Sequence, residues 1–246
     1  MKGLVAIVTG ASRGIGRAIA EGYGAEGARV AAIARPNSPA GLPGTVYETV
    51  KRIVQAGGEA IAVPCDVTDE KQVKSMVMQV SDRLGQIDVL VNNAALFFVR
   101  MPSWEIEPER WQQLINVNLM GPYLVCREVV PLMIARRSGS IINIGSQAAT
   151  IARPGGADYC SSKAALHMFS LSLAQEVQEY NIAVNVLCPG GIKTETALVS
   201  GWPPAWHERV EPEEVVPSAI YLALQSAKSF TGRIVSRTDF GKNWPW

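Results

Sequence analysis

Residues 4–20 read LVAIVTGASRGIGRAIA, and their reading decides the fold. Residues 4–9 form a short apolar run rich in β-branched side chains, suited to a buried strand and too short for a membrane span. From Gly16 onward the apolar residues recur at helical spacing. Between the two, Thr9-Gly10-Ala11-Ser12-Arg13-Gly14-Ile15-Gly16 puts three glycines into a strand-to-helix turn, where they permit a tight bend and close backbone approach to a pyrophosphate. The helix start that follows offers free N–H groups and the positive end of the helix dipole. A glycine triplet alone could be a structural turn; its place between a first strand and a first helix points to dinucleotide binding.

The same alternation runs outward along the chain. Strands are expected at 4–9, 30–34, 60–64, 89–92, 140–144, 183–187 and 233–235, and helices at 16–25, 45–56, 70–84, 107–136, 159–180 and 212–224. Strands alternating with long helical segments give an α/β protein with a doubly wound parallel sheet of about seven strands and helices on both faces. No Ser/Gly-rich linker or repeat divides the chain, so residues 1–246 are read as one domain. Two irregular segments interrupt the pattern: PNSPAGLPG at 36–44 and a long stretch at about 190–211 carrying Trp202, Pro203, Pro204 and Trp206. Loops of this length commonly cover a ligand, and the second is expected to be a substrate lid.

Of the 246 residues 48% are hydrophobic and 18% charged, the composition of a packed globular protein. Twenty-three Lys+Arg against 22 Asp+Glu leave a net charge of +1, with no basic surplus to neutralise a phosphate backbone, so nucleic acid is excluded as an expected partner. Cys65, Cys126, Cys160 and Cys188 are widely separated, and His167 and His207 are the two histidines; no zinc spacing or disulfide framework can be written. Reduced thiols, no expected metal, the lack of an N-terminal signal and apolar stretches that all break before about 18 residues together suggest a soluble cytoplasmic protein.

Two further places carry chemistry. At the end of the second strand an acidic residue would bond the adenosine ribose, whereas a basic one accepts a 2′-phosphate. Here Ala34 stands where a carboxylate would sit and Arg35 follows it, with Arg13 a second cation at the same end. Both arginines could be solvated surface charges, but on a near-neutral background they favour NADP(H) over NAD(H). Tyr159 and Lys163 are four apart on one helical face. An ammonium about 4 Å from a phenol is worth up to about 4 kcal/mol to the phenolate at an effective dielectric near 20, which would bring the tyrosine toward acid/base work. Ser146 closes the fifth strand, at the end of the sheet where such folds bind ligands, and the tyrosine follows 13 residues later.

With TGASRGIG at 9–16, CDVTD at 65–69, NNAA at 92–95, NVNL at 116–119, the Ser146/Tyr159/Lys163 spacing and PGGIKT at 189–194 in this order, the chain resembles a single-domain short-chain dehydrogenase/reductase over nearly its whole length. The resemblance implies a Rossmann-type sheet. It also implies Tyr159 as the acid/base, Ser146 polarising the substrate oxygen, Lys163 lowering the tyrosine pKa and bonding the nicotinamide ribose, and Asn118 supporting a proton relay through that lysine. Cofactor contacts implied are Gly10, Ser12, Arg13, Gly14, Ile15 and Gly16 in the turn, Arg35, Asp66 and Val67 at the adenosine end, and Asn93, Ala94, Tyr159, Lys163, Pro189, Gly190, Ile192 and Thr194 toward the nicotinamide. Ala95 replaces the usual glycine, Gly145 stands where a serine is common, and TGRIVSRTDFG at 231–241 departs from the family's usual end. The 36–44 insertion and KSFTG at 228–232 resemble the hydroxysteroid-dehydrogenase-like branch.

Pocket candidates are Leu96, Phe97, Gln147, Ile151, Leu198, Trp202 and Trp206, whose bulk favours a largely apolar ketone or secondary alcohol. The tryptophans could equally serve loop packing or subunit contact; His207 reads as a loop residue, and His167 as packed or facing a neighbouring subunit. Three rival readings remain. One is an NAD(H)-dependent alcohol or hydroxysteroid-type dehydrogenase. Another is an epimerase or dehydratase, against which stand the mere 55 or so residues after Pro189-Gly190. The third is a non-catalytic NADP(H)-binding sensor, against which stands the complete Ser/Tyr/Lys/Asn set. The resemblance also implies a homo-oligomer, a dimer or 222 tetramer, formed through the helices at 107–136 and 159–180.

Overall fold

A computed structural model describes residues 1–36, 42–195, 197 and 206–244. Seven parallel strands form one sheet in the order β3-β2-β1-β4-β5-β6-β7. They are β1 (Val5–Thr9), β2 (Arg29–Ala34), β3 (Glu59–Pro64), β4 (Val89–Asn92), β5 (Gly139–Ile144), β6 (Ile182–Cys188) and β7 (Arg233–Ser236). The helices described are α1 (Gly14–Ala25), α2 (Val46–Gln55), α3 (Glu70–Leu84), α4 (Pro108–Ile115), α5 (Gly121–Arg136), α6 (Ala157–Val177) and α7 (Val216–Ala223). Every residue of β1, β4 and β6 is buried, as expected of strands covered on both faces by crossover helices. Two apolar cores result. One joins Ile7, Leu90 and Ile141 to α3, α5 and α6; the other joins Val8, Val91 and Ile142 to α1, α2 and α7.

Local chemistry sets the helix starts. Thr45 and Glu48 make a reciprocal capping box at α2, and Asp69 Oδ1 accepts from the amides of Lys71 and Gln72 at α3. The strand order reverses direction between β1 and β4, so a crevice opens above their carboxyl ends, where open α/β sheets take their ligands.

The expected elements lie within a few residues of their observed bounds, with one instructive difference. The single helix expected at 107–136 is interrupted by a π-turn at Asn116–Met120, one residue wider than an α-turn, which separates α4 from α5 and carries Asn118. This helical run is long and apolar enough, by length and composition, to cross a bilayer, contrary to the expectation of no such stretch; here 44% of its most apolar window is buried in the fold. Two expected helices also begin or end in 3₁₀ turns, at Gln178–Tyr180 and Pro212–Val215. Beyond β7, Trp244 folds back so that its indole Nε1 donates to Ser236 O at 2.9 Å, and Tyr221, Phe230 and Phe240 pack around it. The segment expected as a lid lies partly outside the described residues.

Candidate active site

A cavity of about 590 Å³ occupies the crevice. Its floor at the β1 end is built from backbone. Gly10 and Gly14 have φ of +67° and +52°, which favour glycine. A Cβ on Gly16 would lie 2.4 Å from both Gly10 O and Asn93 Nδ2. Thr9 Oγ1 accepts from the amides of Asn93 and Ala94, and Asn93 Nδ2 donates to Thr9 O and Gly10 O, locking the ends of β1 and β4 together. Among the described residues, the N-cap residue of α1, Arg13, makes no side-chain capping hydrogen bond, which suits the first-turn N–H groups to an anion. Gly10, Ser12, Arg13, Gly14 and Ile15 line the cavity; Gly16 does not, its part being to let the turn close against β4.

The adenosine end separates the two arginines. Arg35 lines the cavity and makes no hydrogen bond or ion pair among the described residues. Arg13 also reaches the cavity, but its Nε donates to Pro43 O at 2.9 Å and its Nη2 to Gly44 O at 3.0 Å. It therefore holds the 42–44 segment as well as lining the cavity. Asp66 and Val67 line the same end, with Asp66 Oδ1 accepting from the Thr68 amide and hydroxyl. Opposite, Pro189, Gly190, Ile192 and Thr194 line the cavity beside Asn93, Ala94 and Ala95, and Thr194 Cγ2 would lie 3.1 Å from a Cβ on Gly14. Two contacts here escaped sequence reasoning: Arg237 Nε donates to Pro189 O, and Arg209 Nη1 to Ile192 O. Each bridges distant parts of the chain, and no local pattern announces it.

Ser146, Tyr159 and Lys163 converge on one wall. Ser146 follows β5, and Tyr159 and Lys163 lie one turn apart on α6. Burial pushes the Tyr159 phenol up to about 12, opposed by its hydrogen bond with the Ser146 side chain. Lys163, also buried, is brought down to about 8 by desolvation; its Nζ donates to Ile144 O at 2.8 Å and lies 5.8 Å from the centre of the tyrosine ring. Burial is the largest influence on the phenol, and its direction is opposite to the lowering expected from the lysine. Asn118 is fully buried and is not part of the lining. Its Oδ1 accepts from Leu96 N at 2.7 Å, and its Nδ2 donates to Leu96 O and Ser162 Oγ.

His167 is buried inside the protein, next to this wall and not at a subunit face. Its Nε2 accepts from Ser146 N at 3.3 Å, and a Cβ on Gly145 would lie 2.4 Å from that nitrogen. The histidine therefore accounts for glycine at 145. Desolvation, reinforced by the Lys163 charge, depresses His167 to about 4. Below pH 6.5 the unfolded chain gains a proton that the folded chain refuses until about pH 4, so folding stability falls as pH drops across that window, by up to about 3 kcal/mol. His167→Gln keeps an acceptor for the Ser146 amide and cannot titrate. Its melting temperature should fall less between pH 7 and 4.5 than that of the native protein; equal falls would contradict this.

On the substrate side, Leu96, Phe97 and Gln147 line the cavity, and the Phe97 and Tyr159 rings meet edge to face at 6.1 Å. Ile151 is exposed and apart from the lining. Leu198, Trp202 and the Trp206 side chain lie outside the described residues. His207 is exposed beside Glu208. The wall is less apolar than expected, since Arg153, Glu208 and Arg209 join it. Cys65, Cys126 and Cys188 are buried, and all four cysteines are free thiols.

A parallel sheet whose first turn is an open-backbone anion cradle, with a Ser/Tyr/Lys wall facing it, is the construction of a nicotinamide-dependent oxidoreductase. The comparisons agree. The short chain dehydrogenase family matches residues 4–200. A 3beta-hydroxysteroid dehydrogenase of Eggerthella lenta is 35% identical over 94% of this chain and 91% of its own, and a 3-oxoacyl-[acyl-carrier-protein] reductase of Synechocystis is 35% identical over 92% and 91%. A metagenomic short-chain oxidoreductase solved in complex with NADP superposes with a TM-score of 0.80 at 35% identity, over 96% of this chain and 97% of that one. The chain belongs to the short-chain dehydrogenase/reductase family of oxidoreductases.

Proposed function

We propose that this protein is an NADP(H)-dependent reductase of ketones, working as one domain over residues 1–246 with the 190–211 segment over the substrate. The observation that carries the reading is the meeting of Ser146, Tyr159 and Lys163 on the wall of the same cavity that the glycine turn floors. NADPH, when bound, supplies the hydride. The open N-terminus of α1 and the glycine cradle fit its pyrophosphate, and Asp66 and Val67 its adenine. Ser146 orients and polarises the carbonyl, Tyr159 delivers the proton to its oxygen, and Lys163 bonds the nicotinamide ribose. Asn118 fixes the Leu96 backbone and supports reprotonation through the lysine. Leu96 and Phe97 favour an apolar substrate body. The exposed apolar faces of α5 and α6, at Tyr123, Leu132 and Met168, suit association of copies into a dimer or 222 tetramer.

The cofactor preference rests on Arg35. A guanidinium with no partner among the described residues, at the end of β2, is placed to take a 2′-phosphate bidentately. In a competition assay NADPH should be turned over in preference to NADH, and Arg35→Ser should raise the KM for NADPH about tenfold with little change for NADH. Equal or better turnover with NADH by the native protein would overturn the preference.

A further inference from the structure

The chain leaving β4 forms a strap over the catalytic wall. Leu96 is pinned at both backbone groups by Asn118, Phe97 packs against Tyr159, and the Met101 amide donates to Gly155 O at 3.0 Å. A single side chain from α4 gathers these pieces. Arg110 Nη2 donates to Val99 O at 2.8 Å, and the guanidinium lies 4.9 Å over the Phe98 ring. Its Nε and Nη2 reach Asp158 Oδ2 at 3.3 and 3.1 Å. The other carboxylate oxygen, Asp158 Oδ1, accepts from the Tyr159 amide at 2.8 Å. Asp158 is 3% exposed and sits in the first turn of α6, where a carboxylate suits the helix dipole.

Only an arginine can make this junction. Its planar fork binds a carboxylate with two donors while the same group donates to a carbonyl and stacks on an aromatic face; a lysine ammonium has no such plane. A carboxylate this deeply buried also requires its cation, because removing one partner of a buried pair leaves an uncompensated charge. The pair therefore fixes two things relative to each other: the strap that presents Phe97 to the substrate, and the helix turn that presents the Tyr159 hydroxyl.

We propose that Arg110 and Asp158 form a latch that sets the distance between the substrate wall and the catalytic tyrosine, and so determine which ketones the enzyme accepts. The proposal rests on the reductase reading for its kinetic arm alone. Both are positioning residues, acting through the strap and through Tyr159.

The test uses Arg110→Met/Asp158→Asn together, which removes both charges and leaves an acceptor for the Tyr159 amide, with Arg110→Lys as the conservative variant. Amide hydrogen exchange of residues 98–101 should quicken more than tenfold in the double variant and less in Arg110→Lys, while the amides of β1 and β4 keep their rates. With NADPH saturating, the ratio of kcat/KM for a bulky ketone such as 1-decalone to that for ethyl acetoacetate should shift at least fivefold, chiefly through KM, and the NADPH dissociation constant should stay within twofold. Unchanged exchange at 98–101, exchange raised uniformly through the chain, or a loosened strap with an unchanged substrate ratio would each overturn the latch. Failure of the native protein to reduce any ketone offered would instead overturn the reductase reading, and the exchange measurement would still decide whether the latch exists.

Discussion

Tyr159→Phe is expected to lower turnover about a thousandfold while leaving the NADPH dissociation constant within twofold. The phenylalanine keeps the ring and its edge contact with Phe97 but removes the hydroxyl that hydrogen-bonds Ser146, and positioned proton transfer contributes about 10²–10⁴ in rate. Fluorescence titration with NADPH separates the two effects, and a variant retaining a tenth of native turnover would refute the assignment. The same hydroxyl sets a pH dependence. Burial pushes Tyr159 up to about 12, so the acid form needed to reduce a ketone is present throughout pH 6–9. The phenolate needed to oxidise an alcohol becomes more abundant by about tenfold per pH unit over that range. Alcohol oxidation should therefore climb steeply with pH and ketone reduction should not. Parallel profiles for the two directions would show that another group controls the proton.

Gly16→Ala is the second large effect, and it comes from one methyl group. At 2.4 Å from Gly10 O and from Asn93 Nδ2, the added carbon overlaps a backbone carbonyl that cannot move without opening the strand-to-helix turn. Overpacking of this kind costs about 1–3 kcal/mol in well-packed cores. Here it also displaces the N–H groups meant for the pyrophosphate and disturbs the Asn93 contacts that tie β4 to β1. NADPH affinity should fall more than a hundredfold, with a lower melting temperature that saturating NADPH fails to restore. A variant that binds NADPH normally would place the phosphate elsewhere than at this turn.

What could be read in advance follows from the range of the interactions. The strand, turn and helix at 4–20 were legible because each signal lies within a few residues: β-branched runs for the strand, glycines where φ is positive, helical spacing directly afterward. The convergence of Ser146, Tyr159 and Lys163 on one wall could likewise be inferred, since a strand end and the next helix must meet above a parallel sheet. The π-turn around Asn118 had no legible signature, because one extra residue in a helical turn leaves the apolar pattern of 107–136 almost intact. That Arg13 also holds the carbonyls at 43 and 44 could not be read, because they belong to another loop. Arg110 and Asp158 are 48 residues apart, and neither carries a local mark of the other. The burial around Tyr159 had no signature either, because the i, i+4 spacing reveals the neighbouring ammonium but not the dryness around the phenol.

The close fit of His167 beneath Gly145 also constrains the routes by which this sequence could change. A serine at 145 would bring its Cβ within 2.4 Å of both His167 Nε2 and Val186 Cγ1, so it is admissible only after smaller side chains have appeared at 167 and 186. Arriving first, it would drive the neighbouring Ser146 off the wall it shares with Tyr159. The same substitution should thus be better tolerated on one background than on another, and a relative carrying serine there should carry a smaller residue in the histidine's place. The order in which mutations accumulate, and not their sum alone, governs whether lineages of this kind pass through a working enzyme.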